Sequence, residues 1–183
     1  MSRVYIFLAD GFEEVEGLTV VDLLRRAGAE TVTVSIGSTR EVAGAHGISV
    51  MADRVFSEVD FSGADMLVLP GGMPGTLNLK AYEPLVELLK DFYGKDGKVA
   101  AICAAPSIFS ELGFLKGRKA TAYPSFLEKL DCAQATEDCV VVDGNVTTSR
   151  GVGTAIDFAL CLISQLAGEV KAAEIAESIV WRE

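Results

Sequence analysis

The sequence contains a single histidine, His46, among its 183 residues. One histidine excludes a His-rich zinc or iron site within one chain, and a Cys–His catalytic pair would have to use His46. The cysteines form no CxxC pair and lack the spacing of metal ligands. The sequence therefore predicts no metal site and gives no sign of an organic cofactor.

Clusters of basic residues are also absent. The chain has 16 Lys and Arg residues against 26 Asp and Glu, which gives a net charge of −10. An acidic chain repels phosphate backbones and anionic membrane surfaces. We therefore expect neither nucleic acid nor a membrane as a partner.

No hydrophobic run near the N-terminus is long enough to direct the chain out of the cytoplasm. The first run, Val4 to Ala9, is too short for a signal-peptide core with a cleavage site and far too short to span a bilayer. We expect a cytoplasmic protein, and a reducing compartment keeps cysteines as free thiols. The cysteines concerned are Cys103, Cys132, Cys139 and Cys161.

What the sequence does contain is an alternation of short apolar runs and segments of helical periodicity. The predicted strands are 3–9, 31–36, 65–72 (ending in a Pro-Gly-Gly turn), 98–103 and 119–123, and the predicted hairpins are 40–52 and 139–149. The predicted helices are 14–29, 82–97, 105–113, 153–168 and 170–181. This order predicts one domain over 1–183, an α/β sandwich with a mostly parallel central sheet.

In open parallel sheets, ligands bind beyond the carboxyl ends of the strands. The segments that follow predicted strands are therefore the first places to search for a site. They are 10–16, 70–75, 103–106 and 123–125.

Cys103 ends one of these strands, and small residues flank it on both sides, Ala101 and Ala105 among them. This pattern is typical of a nucleophile elbow, a sharp turn from strand to helix that leaves no room for larger side chains. The turn would place the thiol beside the first N–H groups of a helix, which favour the thiolate. The alternative is an inert core thiol, because free cysteine is among the most buried residue types.

Two glycines, Gly71 and Gly72, follow the neighbouring predicted strand directly. Glycine lets the backbone approach a ligand closely, so a glycine N–H here and that of Ala104 could form an anion or oxyanion pocket. The alternative is that these glycines serve only a tight turn.

Three glutamates, Glu13, Glu14 and Glu16, lie near the start of the first predicted helix. We interpret Glu13 and Glu14 as simple partners of the helix dipole. Glu16 is the one expected to point inward, where burial near a thiolate would raise its pKa and keep it protonated. A protonated carboxyl can donate a hydrogen bond to a thiolate and transfer a proton during turnover.

Taken together, these residues resemble the ThiJ/PfpI superfamily, and within it the DJ-one-like branch, which includes a Parkinsonism-associated deglycase and bacterial relatives. The resemblance covers nearly the whole chain. It runs through "FLADGFEEVEGLTVVDLLRRAG", "DMLVLPGGMPGTLNL", "VAAICAAPSIFSELGFLKGRKATAYPSF" and "VTTSRGVGTAIDFAL".

The resemblance implies a three-layer, flavodoxin-like α/β/α sandwich that forms a homodimer. It places the family's reactive cysteine on Cys103, its acidic partner on Glu16 and its backbone donors on Gly72 and Ala104. An arginine that some members bring across the dimer interface falls on Arg26. Reported activities of the branch are cofactor-free glyoxalase and deglycase reactions, cysteine oxidation in stress sensing, and chaperone activity.

The chain departs from the family pattern at three positions. Tyr123 stands where many members carry a histidine, and a tyrosine hydroxyl is a poor general base at neutral pH. His46 stands where better-known members have an arginine at the rim of the pocket, and there it could bind anions or shuttle protons. It could equally be a turn residue. Val152 stands where a proline is common.

Four functions follow as hypotheses. The first is a cysteine-dependent glyoxalase or deglycase acting on small α-oxoaldehydes or their glycated adducts. The second is a redox sensor, because an activated thiolate is also the group most readily oxidised. A cysteine protease or amidase is disfavoured because Tyr123 replaces the expected histidine. A purely structural module would leave Cys103 unreactive.

Overall fold

A computed structural model describes residues 1–181 of the chain. The strands within this range are β1 (Arg3–Leu8), β2 (Glu30–Ser35), β3 (Glu41–Ala43), β4 (Ser49–Met51), β5 (Arg54–Val55), β6 (Met66–Leu69), β7 (Lys98–Ile102), β8 (Lys119–Ala120), β9 (Gln134–Ala135), β10 (Val140–Asp143) and β11 (Val146–Ser149). The helices are α1 (Glu14–Arg26), α2 (Gly75–Ala81), α3 (Glu83–Gly94), α4 (Pro106–Glu111), α5 (Pro124–Leu127), α6 (Ala155–Ala167) and α7 (Glu169–Ser178), with 3₁₀ turns at Phe56–Glu58 and Val152–Thr154.

Seven strands form a central sheet in the order β10-β11-β7-β6-β1-β2-β5. All neighbouring pairs are parallel except β10 and β11, which form the hairpin predicted over 139–149. The hairpin predicted over 40–52 is β3 and β4, which pair outside this sheet. The predicted α/β architecture with a mostly parallel sheet is therefore confirmed.

Alternate residues of each central strand pack against different helical layers. In β1, Ile6 and Leu8 join the core beneath α1 and α6, whereas Tyr5 and Phe7 join the core beneath α2, α3 and α4. A side chain of this size contributes about 1.5–3 kcal/mol when fully buried. Both faces of the sheet are thus covered, and none of the helices within 1–181 is long and apolar enough to cross a lipid bilayer.

The predicted element order was wrong for one strand, and it lacked β5, β9, α2 and α5. The strand predicted over 119–123 contains only β8, and β8 pairs with β9 outside the central sheet. The strand does not continue to residue 123, because the N–H of Tyr123 donates to the carbonyl of Cys103 (2.9 Å) instead of to a neighbouring strand. Pro124 then starts a helix. Helix α2 was not predicted, because it begins at Gly75, shortly after the predicted Pro-Gly-Gly turn, in a segment rich in glycine and proline.

The sheet order brings three predicted ligand-binding segments together. Strands β7, β6 and β1 are direct neighbours, so their carboxyl ends, at Ile102, Leu69 and Leu8, lie side by side. The chain after each of them therefore meets at one edge of the sheet, as expected for a parallel α/β fold.

Candidate active site

Cys103 sits on a sharp turn between β7 and α4. Its φ is +66°, in the left-handed region that non-glycine residues rarely adopt, and its N–H donates to the carbonyl of Ser149 (3.0 Å). This conformation costs about 1–2 kcal/mol, which the surrounding packing must offset. The flanking Ala101 and Ala105 are fully buried. The predicted strand-to-helix elbow is confirmed, and all four cysteines are free thiols.

Two backbone N–H groups, those of Gly72 and Ala104, lie close enough to the sulfur of Cys103 to favour its thiolate. Gly72 has a φ of +93°, and a β-carbon built on it would overlap the backbone nitrogen of Glu13 and lie 2.6 Å from the carbonyl oxygen of Gly11. Only glycine fits this position. The structure therefore places both predicted donors at the sulfur, and their stabilisation of a substrate oxygen stays a prediction.

Glu16 lies in the first turn of α1 and is 1% exposed, so the prediction that it points inward is confirmed. Its Oε2 accepts a hydrogen bond from the N–H of Gly71 (2.9 Å), whereas its Oε1 is buried without a hydrogen-bond partner. A β-carbon on Gly71 would lie 2.6 Å from both Oε2 and the β-carbon of Cys103. The missing side chain of Gly71 is what allows the thiol and the carboxyl to meet.

Glu16 and Cys103 compete for one proton. Burial raises the pKa of Glu16 to about 7, whereas Cys103 and the N–H of Gly71 act to lower it. Burial, and then the charge of Glu16, raise the pKa of Cys103 to about 12, whereas the N–H groups of Gly72 and Ala104 act to lower it. Because the two groups titrate as a pair, the first proton leaves near neutrality and the second stays on until the solution is strongly alkaline.

This result corrects one expectation and confirms another. The backbone N–H groups favour the thiolate as predicted, but burial and the neighbouring carboxyl outweigh them, so the thiol pKa is raised rather than lowered. The raised pKa that we predicted for Glu16 is confirmed. Activation of the sulfur therefore depends on transfer of its proton to Glu16, rather than on a low thiol pKa.

His46 is held by the start of α1. Its Nδ1 lies 2.8 Å from Oε2 of Glu14 and 3.5 Å from Oε2 of Glu13, and its backbone N–H donates to Oε1 of Glu14 (2.7 Å). The hydrogen bond to Glu14 and the charges of both glutamates raise the pKa of His46. Burial acts to raise the pKa of Glu14, but its hydrogen bonds with His46 dominate and lower it to about 2.

Glu14 is therefore more than the dipole partner that we predicted. It is a buried carboxylate, and the absence of a side chain on Gly44 leaves room for it. The ring nitrogen of His46 and the carboxylate oxygens of Glu13 and Glu14 lie within 4.8 Å of one another. The ion pairing of His46 with the two glutamates explains this spacing.

Tyr123 and Gly151 form the wall of the site on the side of Glu16. Tyr123 is about half exposed, and a β-carbon built on Gly151 would lie 3.6 Å from its Cδ2 and 3.8 Å from Oε1 of Glu16. Gly151 was missed in the sequence. The available signal was that it follows β11, which neighbours β7, so it had to lie at the same edge of the sheet.

Arg26 does not belong to this site within the chain. It lies in the last turn of α1, ten residues or about 15 Å beyond Glu16, and pairs with Asp22 at 2.9 Å on the surface. Within one chain, Arg26 therefore lies away from the pocket. Its contact with the site of a second chain in a homodimer stays a prediction.

Comparison with known proteins decides the family. The model of the DJ-1/PfpI family matches residues 2–165, which include the elbow, the glycine turn and Glu16. The chain belongs to the DJ-1/PfpI family. The resemblance in sequence is thus confirmed over most of the chain.

Family members from plants, archaea and a protozoan are similar to this chain. The Arabidopsis thaliana protein DJ-1 homolog B is 42% identical over 99% of this chain, but the chain spans only 42% of that relative's length, and 47% of that of DJ-1 homolog A from the same plant. A Pyrococcus abyssi protein named deglycase is 38% identical over 82% of this chain and 91% of its own. The structure of oxidized Toxoplasma gondii DJ-1 superposes with a TM-score of 0.96 at 35% identity, over 100% of both chains.

Proposed function

We propose that the protein is a cysteine-dependent, cofactor-free enzyme that acts on methylglyoxal-type α-oxoaldehydes or their glycated adducts. The observation that carries this proposal is the pair formed by Cys103 and Glu16, a nucleophile and a proton carrier that share one proton near neutral pH. A relative named deglycase within the same family supports the choice of substrate class. The glyoxalase reaction is the simplest test of the chemistry.

The first step joins the substrate to the sulfur. The sulfur of Cys103 adds to the aldehyde carbon of methylglyoxal while Glu16 takes the thiol proton. The aldehyde oxygen gains the electron pair of the C=O bond, and the N–H groups of Gly72 and Ala104 stabilise it. Glu16 returns the proton to that oxygen, which gives a hemithioacetal and leaves the carboxylate free to act as a base.

The second step moves hydrogen between the two carbons. Glu16 removes the proton from the former aldehyde carbon and returns one to the neighbouring carbon, while the hydroxyl proton passes from the first oxygen to the second. The product is a lactoyl thioester. Water then breaks the carbon–sulfur bond and releases lactate and the free thiol, so the reaction needs no external oxidant or reductant.

The test is lactate formation from methylglyoxal without glutathione. We expect Cys103→Ala to lower the rate to background, because the nucleophile is lost, while Cys139→Ala, which removes an exposed cysteine elsewhere, keeps the wild-type rate. Alanine replaces cysteine at the same positive φ, so the elbow carries similar strain in both proteins. Equal rates in the wild type and Cys103→Ala would reject the proposal.

A redox sensor is the second candidate, and the structure of an oxidized family member from Toxoplasma gondii favours keeping it. Intact mass measured during a peroxide titration tests it. We expect a gain of two oxygens at Cys103 that disappears in Cys103→Ala but persists in Cys139→Ala, because the N–H groups of Gly72 and Ala104 also suit a sulfinate. If the sulfur of Cys103 resists peroxide while lactate formation is normal, the redox-sensor hypothesis is rejected and the enzyme hypothesis is retained.

A cysteine protease or amidase has less support. That chemistry needs a histidine hydrogen-bonded to the nucleophile. The only histidine in the sequence hydrogen-bonds to Glu14, and Tyr123 occupies the position where many relatives carry a histidine.

A further inference from the structure

One oxygen of Glu16 is buried without a partner. Oε2 is held by the N–H of Gly71, but Oε1 accepts no hydrogen bond and has no contact with solvent. An ionised carboxylate oxygen in this state is costly, because neither water nor a donor stabilises its charge. Whatever keeps water away from Oε1 therefore controls how readily Glu16 gives up its proton.

The turn at Gly151 is one of the walls beside this oxygen. Thr154 holds the turn through its backbone N–H, which donates to the carbonyl of Gly151 (2.9 Å), and through its hydroxyl. Oγ1 of Thr154 accepts hydrogen bonds from the N–H of Arg150 (3.2 Å) and of Gly151 (3.1 Å), and donates to the carbonyl of Gly151 (3.0 Å). It also lies 2.7 Å from Oγ of Ser149, which donates to the carbonyl of Cys139. Thr154 thus ties the turn to the end of β11.

We infer that Thr154 is a positioning residue for Glu16, because its hydroxyl clamps the Gly151 turn beside Oε1 and excludes water from that oxygen. The inference rests on the proposed role of Glu16 as the proton carrier for Cys103. Thr154 itself touches neither the thiol nor a substrate. Its effect reaches the chemistry only through the proton affinity of the carboxyl.

The charged and titratable groups around Glu16 do not replace Thr154 in excluding water from Oε1. Cys103 faces it from the end of β7, and Glu13 acts on it from the segment before α1. Tyr123 contributes its ring at the Gly151 wall. The guanidinium of Arg150 donates to the carbonyl of Glu137 (3.2 Å).

The experiment measures the rate of Cys103 alkylation by iodoacetamide between pH 5 and 9, by mass spectrometry, in the full-length protein. In the wild type we expect the rate to rise with a midpoint near the pKa of Glu16, about 7. Thr154→Val keeps the shape of the side chain and the backbone hydrogen bond to Gly151 but loses every hydrogen bond of the hydroxyl. Water then reaches Oε1, and we expect the midpoint to fall by about one pH unit, since desolvation is what raises a buried carboxyl's pKa.

Three further variants distinguish the loss of the hydrogen bonds of the Thr154 hydroxyl from a general disturbance of the turn. Thr154→Ser keeps the hydroxyl, so we expect its midpoint to match the wild type. Gly151→Ala adds a methyl at ordinary contact distances, on a backbone with a φ of 164° that any residue adopts, and we expect its midpoint not to fall. Gly153→Ala, in the same turn but with no atom within 4 Å of the new methyl, is the matched control.

A Thr154→Val midpoint equal to that of the wild type, or an equal fall in Thr154→Ser, would overturn the inference. Should Thr154→Val not fold, Ser149→Ala removes one contact of the clamp, and an unchanged midpoint there counts against the inference in the same way. The alkylation readout does not require turnover. A wild type that makes no lactate but shows these midpoints would therefore reject the proposed enzyme and leave the clamp standing.

Discussion

Glu16→Gln is expected to reduce lactate formation from methylglyoxal by at least ~100-fold, the usual contribution of a general acid–base group. Glutamine can still accept the hydrogen bond from Gly71 through its amide oxygen, so the local geometry is kept. What it lacks is the ability to take the proton of Cys103 and to move hydrogen between the substrate carbons. Binding of the substrate is affected less than turnover, so kcat should fall more than KM rises.

The same variant is expected to change how stability depends on pH. The pKa of Glu16 is about 7 in the folded protein against an ordinary value of 4.5, so the folded state binds the proton more tightly. The stability due to this group is complete below pH 4.5 and is lost as the pH rises to about 7. The total loss is on the order of 3 kcal/mol, and Glu16→Gln avoids it because it never ionises.

Urea unfolding at several pH values between 4.5 and 8 measures this effect. The free energy of unfolding of Glu16→Gln, relative to that of the wild type, should rise by about 3 kcal/mol across the range. The difference between the two proteins cancels the contributions of the other carboxyls. Two parallel curves would show that Glu16 ionises normally, and a variant with undiminished lactate formation would remove Glu16 from the reaction.

Gly72→Ala is expected to have the largest structural effect in the site. A methyl at this position overlaps the backbone nitrogen of Glu13 and approaches the carbonyl oxygen of Gly11 to 2.6 Å, and backbone atoms cannot move aside as a flexible side chain can. The segment before α1 and the glycine turn must therefore separate. That movement withdraws the Gly72 N–H from the sulfur of Cys103 and disturbs the neighbouring Gly71, which holds Glu16.

Gly28→Ala is the matched control for this substitution. Gly28 also has a positive φ, +85°, but no atom lies within 4 Å of its built β-carbon. It therefore carries the conformational cost alone, about 1–2 kcal/mol. We expect Gly72→Ala to lower the free energy of unfolding, measured in urea, by at least ~2 kcal/mol more than Gly28→Ala does, because steric overlap adds to the same backbone cost. We also expect only Gly72→Ala to lose activity, and equal losses of stability would show that the overlap relaxes freely.

Patterns that depend on neighbouring residues were predictable. The apolar runs and helical periods located the central strands, and the small residues around Cys103 located the elbow, because crowding at a sharp turn acts within a few residues. The paired glycines predicted a backbone donor at their turn, and the family resemblance assigned it to Gly72. Helix α2 was missed because glycine and proline concealed its period, and the strand after Lys119 was overextended because a hydrogen bond to Cys103 competes with the ladder.

Features that depend on distance between remote segments were not predictable. The wall that the Gly151 turn forms beside Glu16 and the ion pair between Glu14 and His46 both depend on contacts between segments that are remote in the sequence. The raised thiol pKa belongs with them. The backbone N–H groups act to lower the pKa of Cys103. Burial, together with the carboxyl of Glu16, 87 positions away in the sequence, outweighs them and raises it.

By itself, the sequence determined the α/β fold class from periodicity, and its motifs determined the family resemblance. That resemblance is what singled out Cys103 and Glu16 as the candidate nucleophile and its carboxyl partner. Only the tertiary structure decided how the two groups share a proton. The physical reason is that proton affinity depends on desolvation and on charges brought close by folding, and neither quantity exists until β7, β6 and β1 lie side by side.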